Sequence, residues 1–230
     1  MTGSAGSGAG TRGGFRNVES KFARFAPLSG VGFLIFYIVG FVAMGESPDF
    51  MDAPAVNLKY YVTHDSDAML AAVALLLASV FLLWFLGSIR RVLGAAEGGD
   101  GRVTAIGFSG GAVGIALFVA GVVAFVLPAM RFDEQNKLDS ITATVFTDLS
   151  NGLVGMAAPL ALGVLLLAVA VVGLRHGAVP KVWAWISGIL GVVMIVPWVS
   201  WAGMFFLFPI WVLVMVVMLM RGGAREGATA

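Results

Sequence analysis

The chain has 230 residues, of which 59% are hydrophobic and only 12% are charged. Soluble domains carry about 25% charged residues, so this composition excludes an ordinary water-soluble fold. The net charge of +1 excludes a general attraction to nucleic acid, and the lack of cysteine excludes disulfide bonds and thiolate metal sites. Because the apolar residues form long unbroken blocks, the sequence predicts an all-α, polytopic transmembrane helix bundle.

Four charge-free runs each have the length of one membrane span. A bilayer core of about 30 Å is crossed by roughly 20 apolar residues in an α-helix. The four runs cover residues 25–44, 68–88, 103–130 and 149–174. We expect one span in each, with the two longer ones tilted.

A fifth charge-free run, residues 182–220, is too long for a single span. As one helix it would extend about 58 Å, nearly twice the hydrocarbon thickness. Two spans joined by a turn near residues 197–203 fit better. Tryptophan prefers the membrane interface, which places Trp198 and Trp201 at one interface and Trp183 and Trp185 at the other. The predicted total is six spans.

The basic residues predict the orientation. With six spans, eleven arginine and lysine side chains fall on one side of the membrane, and only Lys59, Arg131 and Lys137 fall on the other. The eleven are Arg12, Arg16, Lys21, Arg24, Arg90, Arg91, Arg102, Arg175, Lys181, Arg221 and Arg225. The positive-inside rule places this side, and both termini with it, in the cytoplasm.

The domain organisation follows from these spans. We expect a disordered cytoplasmic tail over residues 1–22, a six-helix transmembrane domain over 23–221 and a second cytoplasmic tail over 222–230. The first apolar run exceeds the 7–15 residues of a signal-peptide core, so we expect it to remain as a span. The dominance of Arg over Lys and of Gly, Ala and Val is typical of GC-rich bacteria and predicts a multi-pass protein of the bacterial plasma membrane.

Two outer loops are expected to contain amphipathic helices that lie on the membrane interface. In the first, Asp52 is the candidate cap and Pro54 suits the first turn. The apolar faces are formed by Ala55, Leu58 and Val62 in the first helix and by Leu138, Ile141, Val145 and Leu149 in the second. This spacing repeats every three to four residues, as one face of a helix does.

The entries to the second and fourth spans match each other. Thr63-His64-Asp65-Ser66-Asp67 and Thr147-Asp148-Leu149-Ser150-Asn151 share the pattern Thr-x-x-Ser-Asp/Asn at an offset of 84 residues. A tandem helical-hairpin repeat over spans 2–3 and 4–5 would explain the match, and parallel repeats occur in transporters. The alternative is that caps and basic loops recur in any membrane hairpin.

Glycines and prolines mark candidate packing or ligand positions within the spans. Gly110 and Gly114 form a GxxxG pair in span three, where small residues allow two helices to approach closely. Packing within the chain is the favoured interpretation, with a homodimer face or a substrate groove as alternatives. Pro159, Pro197 and Pro209 interrupt spans four, five and six, and each frees a backbone carbonyl for packing or for a site.

The outer side also carries most of the acidic residues. Asn151, at the mouth of span four and near Asp148, is the expected polar contact for a ligand that enters from outside, with capping or inter-helix hydrogen bonding as the alternative. His64 and His176 fall on opposite sides of the membrane, and the Gly-rich segment 94–101 lacks the Gly-Lys-Ser/Thr of a phosphate loop. We therefore predict no catalytic residues, no cofactor and no metal site.

No Asp, Glu, Lys, Arg or His lies within any predicted span. Proton pumps and voltage sensors depend on ionisable groups inside the membrane. These mechanisms are therefore disfavoured, whereas a carrier that uses backbone carbonyls at broken helices is not.

Four segments resemble a broad group of small six-span integral membrane proteins of GC-rich bacteria. They are Lys59-Tyr60-Tyr61-Val62-Thr63-His64, Leu83-Trp84-Phe85-Leu86-Gly87, Thr147-Asp148-Leu149-Ser150-Asn151 and Phe208-Pro209-Ile210-Trp211-Val212-Leu213. No activity is known for the group, so the resemblance implies the architecture alone.

Two functions remain open from the sequence. The first is a non-enzymatic membrane component or partner subunit, which contacts lipid and either a protein partner or a second copy through the glycine face of span three. The second is a small transporter or permease for a small solute. A polar cavity bordered by broken helices near Pro159 and Pro209 would favour the second.

Overall fold

A computed structural model describes residues 26–135 and 137–226, with side chains through Arg221. The predicted tail over 1–22, the basic side chains before residue 26 and the side chain of Arg225 lie outside the described residues. Within this part of the chain every regular element is helical, which confirms the all-α prediction. The helices are α1 (Ser29–Met44), α2 (Pro54–Thr63), α3 (Asp65–Glu97), α4 (Arg102–Gln135), α5 (Ser140–Gly152), α6 (Ala158–His176), α7 (Lys181–Ile195), α8 (Pro197–Ala202) and α9 (Phe208–Glu226).

Two π-helical turns, each with one residue more per turn than the α-helix, join some of these elements without a break. The first π turn (Leu153–Ala157) links α5 to α6, and the second π turn (Gly203–Leu207) links α8 to α9. Five helical stretches are long and apolar enough to cross a membrane, as expected of a helical membrane bundle. They are Ala26–Met44, Asp65–Glu97, Arg102–Gln135, Ser140–His176 and Pro197–Arg221. The apolar helix α7 has only 15 residues.

Contacts between helices show that neighbouring passes run antiparallel. Gly32 faces Phe81 and Gly40 faces Leu75, so α1 and α3 run in opposite directions. Gly107 faces Ala168 and Gly121 faces Val154 of the first π turn, so α4 and α6 do the same. The bundle is therefore an up-and-down arrangement of helices.

The chain reverses at Val196, just before the range expected for the turn. Val196 has extended backbone angles (φ −83°, ψ 111°), and Pro197 then begins α8, so residues 197–202 are helical rather than a turn. A Cβ atom on Gly203 would lie 2.9 Å from Met194. The indole Nε1 of Trp211 donates a hydrogen bond of 2.9 Å to the Ser187 hydroxyl. Residues 182–220 thus form an antiparallel hairpin and not one helix.

The two predicted amphipathic helices are present, with their apolar faces outward. In α5, Ile141 is 71% exposed and Val145 and Leu149 are also exposed, while Thr147 and Ser150 are buried. Hydrocarbon, unlike water, is a favourable surrounding for such an outward apolar face. Helix α5 continues into α6 as one helical stretch, Ser140–His176, and its interfacial placement stays a prediction.

The first amphipathic helix has a different cap and a different buried face from those expected. Ala53 precedes α2 at the cap position, and the Asp52 carboxylate instead accepts a hydrogen bond of 2.9 Å from the Asp49 amide. Pro54 occupies the first turn of α2, as predicted. Asn57, Tyr60 and Tyr61 form the buried face, whereas Ala55 and Val62 are exposed.

Candidate functional site

Charge separates the two ends of the bundle. The acidic end is where α1 and α4 finish and where α3 and α5 begin; the basic end is where α3 and α6 finish and where α4 and α7 begin. Acidic side chains at the acidic end are Glu46, Asp49, Asp52, Asp65, Asp67, Asp133, Glu134, Asp139 and Asp148. Basic side chains of the described residues at the basic end are Arg90, Arg91, Arg102, Arg175, Lys181 and Arg221.

A cavity of about 250 Å³ opens at the acidic end. Its walls come from α1, α3, α4 and both π turns, and the segment 45–49 lies across its mouth. The apolar walls are formed by Phe41, Met44, Leu75, Phe118, Val122, Phe125, Val154 and Phe205. Polar residues gather at the mouth: Ser47, Asp49, Thr147, Ser150 and Asn151. The cavity therefore has an aromatic interior and one polar end.

Asn151 and Asp148, the two residues predicted to meet a ligand, both hold the loop that covers this cavity. The side-chain amide of Asn151 donates a hydrogen bond of 3.3 Å to the Pro48 carbonyl, and Asn151 itself lines the cavity. The Asp148 carboxylate accepts a hydrogen bond of 3.1 Å from the amide of Met51. Met51 has a positive φ of 69°, which is uncommon for a residue with a side chain. Asp148 thus stabilises a strained point in the loop.

Two tyrosines of α2 fix this helix beside the cavity. The Tyr60 hydroxyl donates to the Met44 carbonyl at 2.8 Å, which ties α2 to the end of α1. The Tyr61 hydroxyl lies 3.2 Å from the Thr147 hydroxyl on α5. Burial raises the pKa of Tyr61 to about 12, against a smaller opposing effect of the Thr147 hydrogen bond. The phenol is therefore neutral at physiological pH, which suits its place in a buried contact.

At the mouth, two hydroxyls have no hydrogen-bond partner among the described residues: that of Ser47 and that of Ser150. The Ser150 side chain is 7% exposed and lines the cavity. Other helical Ser and Thr hydroxyls, such as those of Thr144 and Thr147, donate to the carbonyl four residues earlier. Within the described part of the chain the Ser150 hydroxyl makes no such bond. Because this hydroxyl borders the cavity and has no partner among the described residues, it is available to a bound molecule.

The two π turns lie beside the cavity, and each is followed by a proline. Pro159 lacks the amide that would bond to the Gly155 carbonyl in an unbroken α-helix, and the Ser200 hydroxyl donates to that carbonyl at 2.6 Å. Pro209 follows the second π turn in the same way, and the Tyr37 hydroxyl donates to the Met204 carbonyl at 3.2 Å. Hydroxyls from other helices therefore satisfy carbonyls at both irregular turns.

Gly110 and Gly114 of α4 lie at a contact between helices and not in the cavity lining. A Cβ atom on Gly110 would lie 2.8 Å from the Ala161 carbonyl oxygen, and one on Gly114 would lie 2.6 Å from Leu162. Both glycines thus pack against α6 of the same chain and do not line the cavity. A homodimer through this face would require α6 to move away.

The phenylalanine walls of the cavity were not anticipated from the sequence. A phenylalanine inside a charge-free run gives no signal of whether it faces lipid, another helix or a void. Among the described residues, no three His, Asp or Glu side chains gather as a metal site would require. Comparison with models of protein families, with curated proteins and with solved structures found no match to this chain.

Proposed function

We propose that the chain is an integral protein of the bacterial plasma membrane with six spans and with both termini in the cytoplasm. The antiparallel hairpin at residues 182–220 supports six spans, because it divides the last apolar run into two passes. The separation of acidic and basic ends supports the orientation, since basic residues concentrate on the cytoplasmic side. In this orientation the cavity opens outward.

Cysteine labelling tests this topology in a chain that has no native cysteine. We expect Phe50→Cys and Gln135→Cys to react with a membrane-impermeant thiol reagent in intact cells. Ala95→Cys and Ala178→Cys should react only after permeabilisation. Labelling of residue 178 in intact cells would contradict the orientation.

We propose further that the protein is a non-enzymatic membrane component that binds a small molecule in the cavity at its acidic end. The observation that carries this proposal is the combination of an aromatic cavity of about 250 Å³ with a free hydroxyl at its mouth. Ligand pockets are mostly apolar with a few placed polar groups, and drug-sized ligands occupy about 300–1,000 Å³. An engineered apolar cavity of about 150 Å³ binds benzene, so the expected ligand lies between these sizes.

Ligand-dependent stabilisation in a neutral detergent tests the binding proposal. The probes are 2-phenylethanol, 2-phenylethylamine and phenylacetate, which share one size and differ in charge. A ligand of the folded state raises stability by about 2.7 kcal/mol at one hundred times its Kd. Val122→Phe places a larger side chain in the cavity, and Val123→Phe makes the same change at an exposed neighbour. At least one probe should stabilise the Val123 variant and not the Val122 variant; equal responses would refute the proposal.

Transport of the bound solute is the second candidate function, and the position of the π turns favours it. Val154 and Phe205, one from each π turn, line the same cavity. Broken helices supply backbone groups to transporter sites, although the polar groups here gather at the mouth and not at the centre of the membrane. Purified protein in lipid vesicles should then take up a probe that protein-free vesicles exclude. Binding without uptake would leave a receptor or sensor role.

A protein partner also remains a prediction for this chain. The glycine face of α4 is covered by α6, so a partner would contact other surfaces of the bundle. Affinity purification from native membranes tests this, and recovery of the chain alone would count against the partner-subunit role.

A further inference from the structure

We infer that the ligand of this cavity is a small organic cation, an amine whose ammonium group lies at the mouth and whose apolar body fills the aromatic interior. The inference rests on the proposed binding function and specifies its ligand class. It is carried by the charge around the mouth, the hydrogen-bonding capacity of the polar residues and the composition of the walls.

The charge around the mouth is negative. Asp49 lines the cavity, and no Lys, Arg or His side chain of the described residues does so. The carboxylates of Asp52 and Asp148 belong to the same loop assembly, where they accept hydrogen bonds from the amides of Asp49 and Met51. These hydrogen bonds come from backbone amides and not from basic side chains. A cation entering the mouth is therefore attracted by several carboxylates, and an anion is repelled.

The hydrogen-bonding groups at the mouth also suit a donor better than an acceptor. The Asn151 side chain uses its amide N–H on the Pro48 carbonyl, which leaves its carbonyl oxygen to accept. The Ser150 hydroxyl is free, and its lone pairs accept as well. An ammonium has three N–H donors and no acceptor, so it matches these oxygens. A carboxylate ligand could accept from the hydroxyls of Ser47 and Ser150 and from the second N–H of Asn151. It would, however, meet the Asp49 carboxylate.

The walls suit a compact apolar body attached to this charge. Phe41, Phe118, Phe125 and Phe205 surround the interior. Aromatic faces bury apolar area, and their negative quadrupole attracts a nearby cation. The cavity thus combines an apolar interior with a cation-accepting entrance, which excludes inorganic cations as the preferred ligand because these leave the interior empty.

The three probes of equal size test the ligand class. We expect 2-phenylethylamine to bind more tightly than 2-phenylethanol, and phenylacetate to bind least. Exposed ion pairs contribute about 0.2–1 kcal/mol, so Asp49→Asn should weaken the amine by roughly 1.4- to fivefold and leave the alcohol unchanged. Asp133→Asn removes the same charge from the acidic end outside the cavity lining and should change neither affinity. Ser150→Ala should weaken both the amine and the alcohol.

The outcomes separate the ligand class from the binding function. If the alcohol binds as tightly as the amine, and Asp49→Asn changes neither, the cavity remains a ligand site and the cationic class is wrong. If phenylacetate binds most tightly, the class is also wrong. If no probe stabilises the protein, or if Val122→Phe and Val123→Phe respond alike, the binding function itself is refuted.

Discussion

The two halves of α4 differ in what they border. From Gly107 to Gly114, the backbone of α4 approaches α6 so closely that a Cβ atom would contact the Ala161 carbonyl or the Leu162 side chain. From Phe118 to Phe125, the same helix borders the cavity. The first half packs against α6 throughout. The second half combines one close contact, where a Cβ atom on Gly121 would lie 2.5 Å from Val154, with the lining of the cavity.

From this difference we expect stability and the proposed binding to depend on different halves of α4. Lipid offers no hydrophobic drive for helix association, so close packing of small residues holds membrane helices together. Around the cavity, hydroxyl groups add hydrogen bonds between the helices. Ser200 and Tyr37 bond to carbonyls of the two π turns, and Tyr61 contacts Thr147 beside the cavity. We therefore expect the glycine half to carry more of the stability and the cavity half to carry the binding.

The largest expected effect is at Gly110. Gly110→Ala would force the α4–α6 contact apart, because the new Cβ meets backbone as well as the Val164 side chain. Overpacking of this kind costs about 1–3 kcal/mol, measured by unfolding in mild detergent. Gly87→Ala is the matched control, since nothing lies within 4 Å of a Cβ atom there. Equal stability of the two variants would remove the distinction between the two halves.

The next effect concerns the hydroxyl of Ser200. Ser200→Ala leaves the Gly155 carbonyl without its hydrogen bond, which we expect to cost about 1–2 kcal/mol. Pro159→Ala supplies the missing backbone amide, so Ser200→Ala should cost less in that background. A double-mutant cycle measures this coupling. Additive effects would show that Ser200 does not compensate for the proline.

The smallest effect is a dependence on pH at the start of α5. Asp139 accepts hydrogen bonds from the hydroxyl of Thr142, at 2.6 Å, and from its amide, at 2.9 Å, and these contacts lower the pKa of Asp139 below its ordinary value of 3.8. A lowered pKa adds stability above the unfolded-state pKa, and this contribution disappears as the pH falls through the folded-state value.

The measurement is the unfolding temperature as a function of pH. Asp139→Asn keeps a neutral helix cap. Its unfolding temperature should fall less than that of the native protein as the pH drops below 3.8. Thr142→Val should also reduce this acid-induced fall, since the Thr142 hydroxyl is the main cause of the lowered pKa of Asp139. Identical acid profiles for the native protein and Asp139→Asn would contradict this assignment.

Much of the helical architecture is predictable because lipid imposes simple rules. Within the described residues, each charge-free run lies in a helix or hairpin, since an apolar backbone segment must satisfy its own hydrogen bonds in a membrane. The ends of the helices were less predictable. Helix α3 continues to Glu97, beyond the apolar run that ends at Ser88, because Gly98 at φ 63° marks its end rather than the membrane boundary.

The site was predictable only in part. Asn151 and Asp148 are polar residues at the start of a predicted span; Asn151 lines the cavity, and Asp148 hydrogen-bonds to Met51 in the adjacent loop. The walls and the hydroxyl partners of the π turns arise from long-range contacts, such as that between Tyr37 and Met204, which no local pattern specifies. The number of spans stays a prediction, as do the tandem repeat and the resemblance to six-span bacterial proteins.

In the six-span arrangement that we propose, the shortness of α7 affects the lipid around it. Its 15 residues extend about 22 Å, compared with a hydrocarbon thickness of about 30 Å. A bilayer accommodates a short apolar segment by thinning locally, at a cost of a fraction of a kcal/mol per Å of mismatch. Acyl chains beside α7 should therefore be compressed or disordered relative to those around the longer helices. Phospholipids with shorter chains would relieve this compression and gather along that flank.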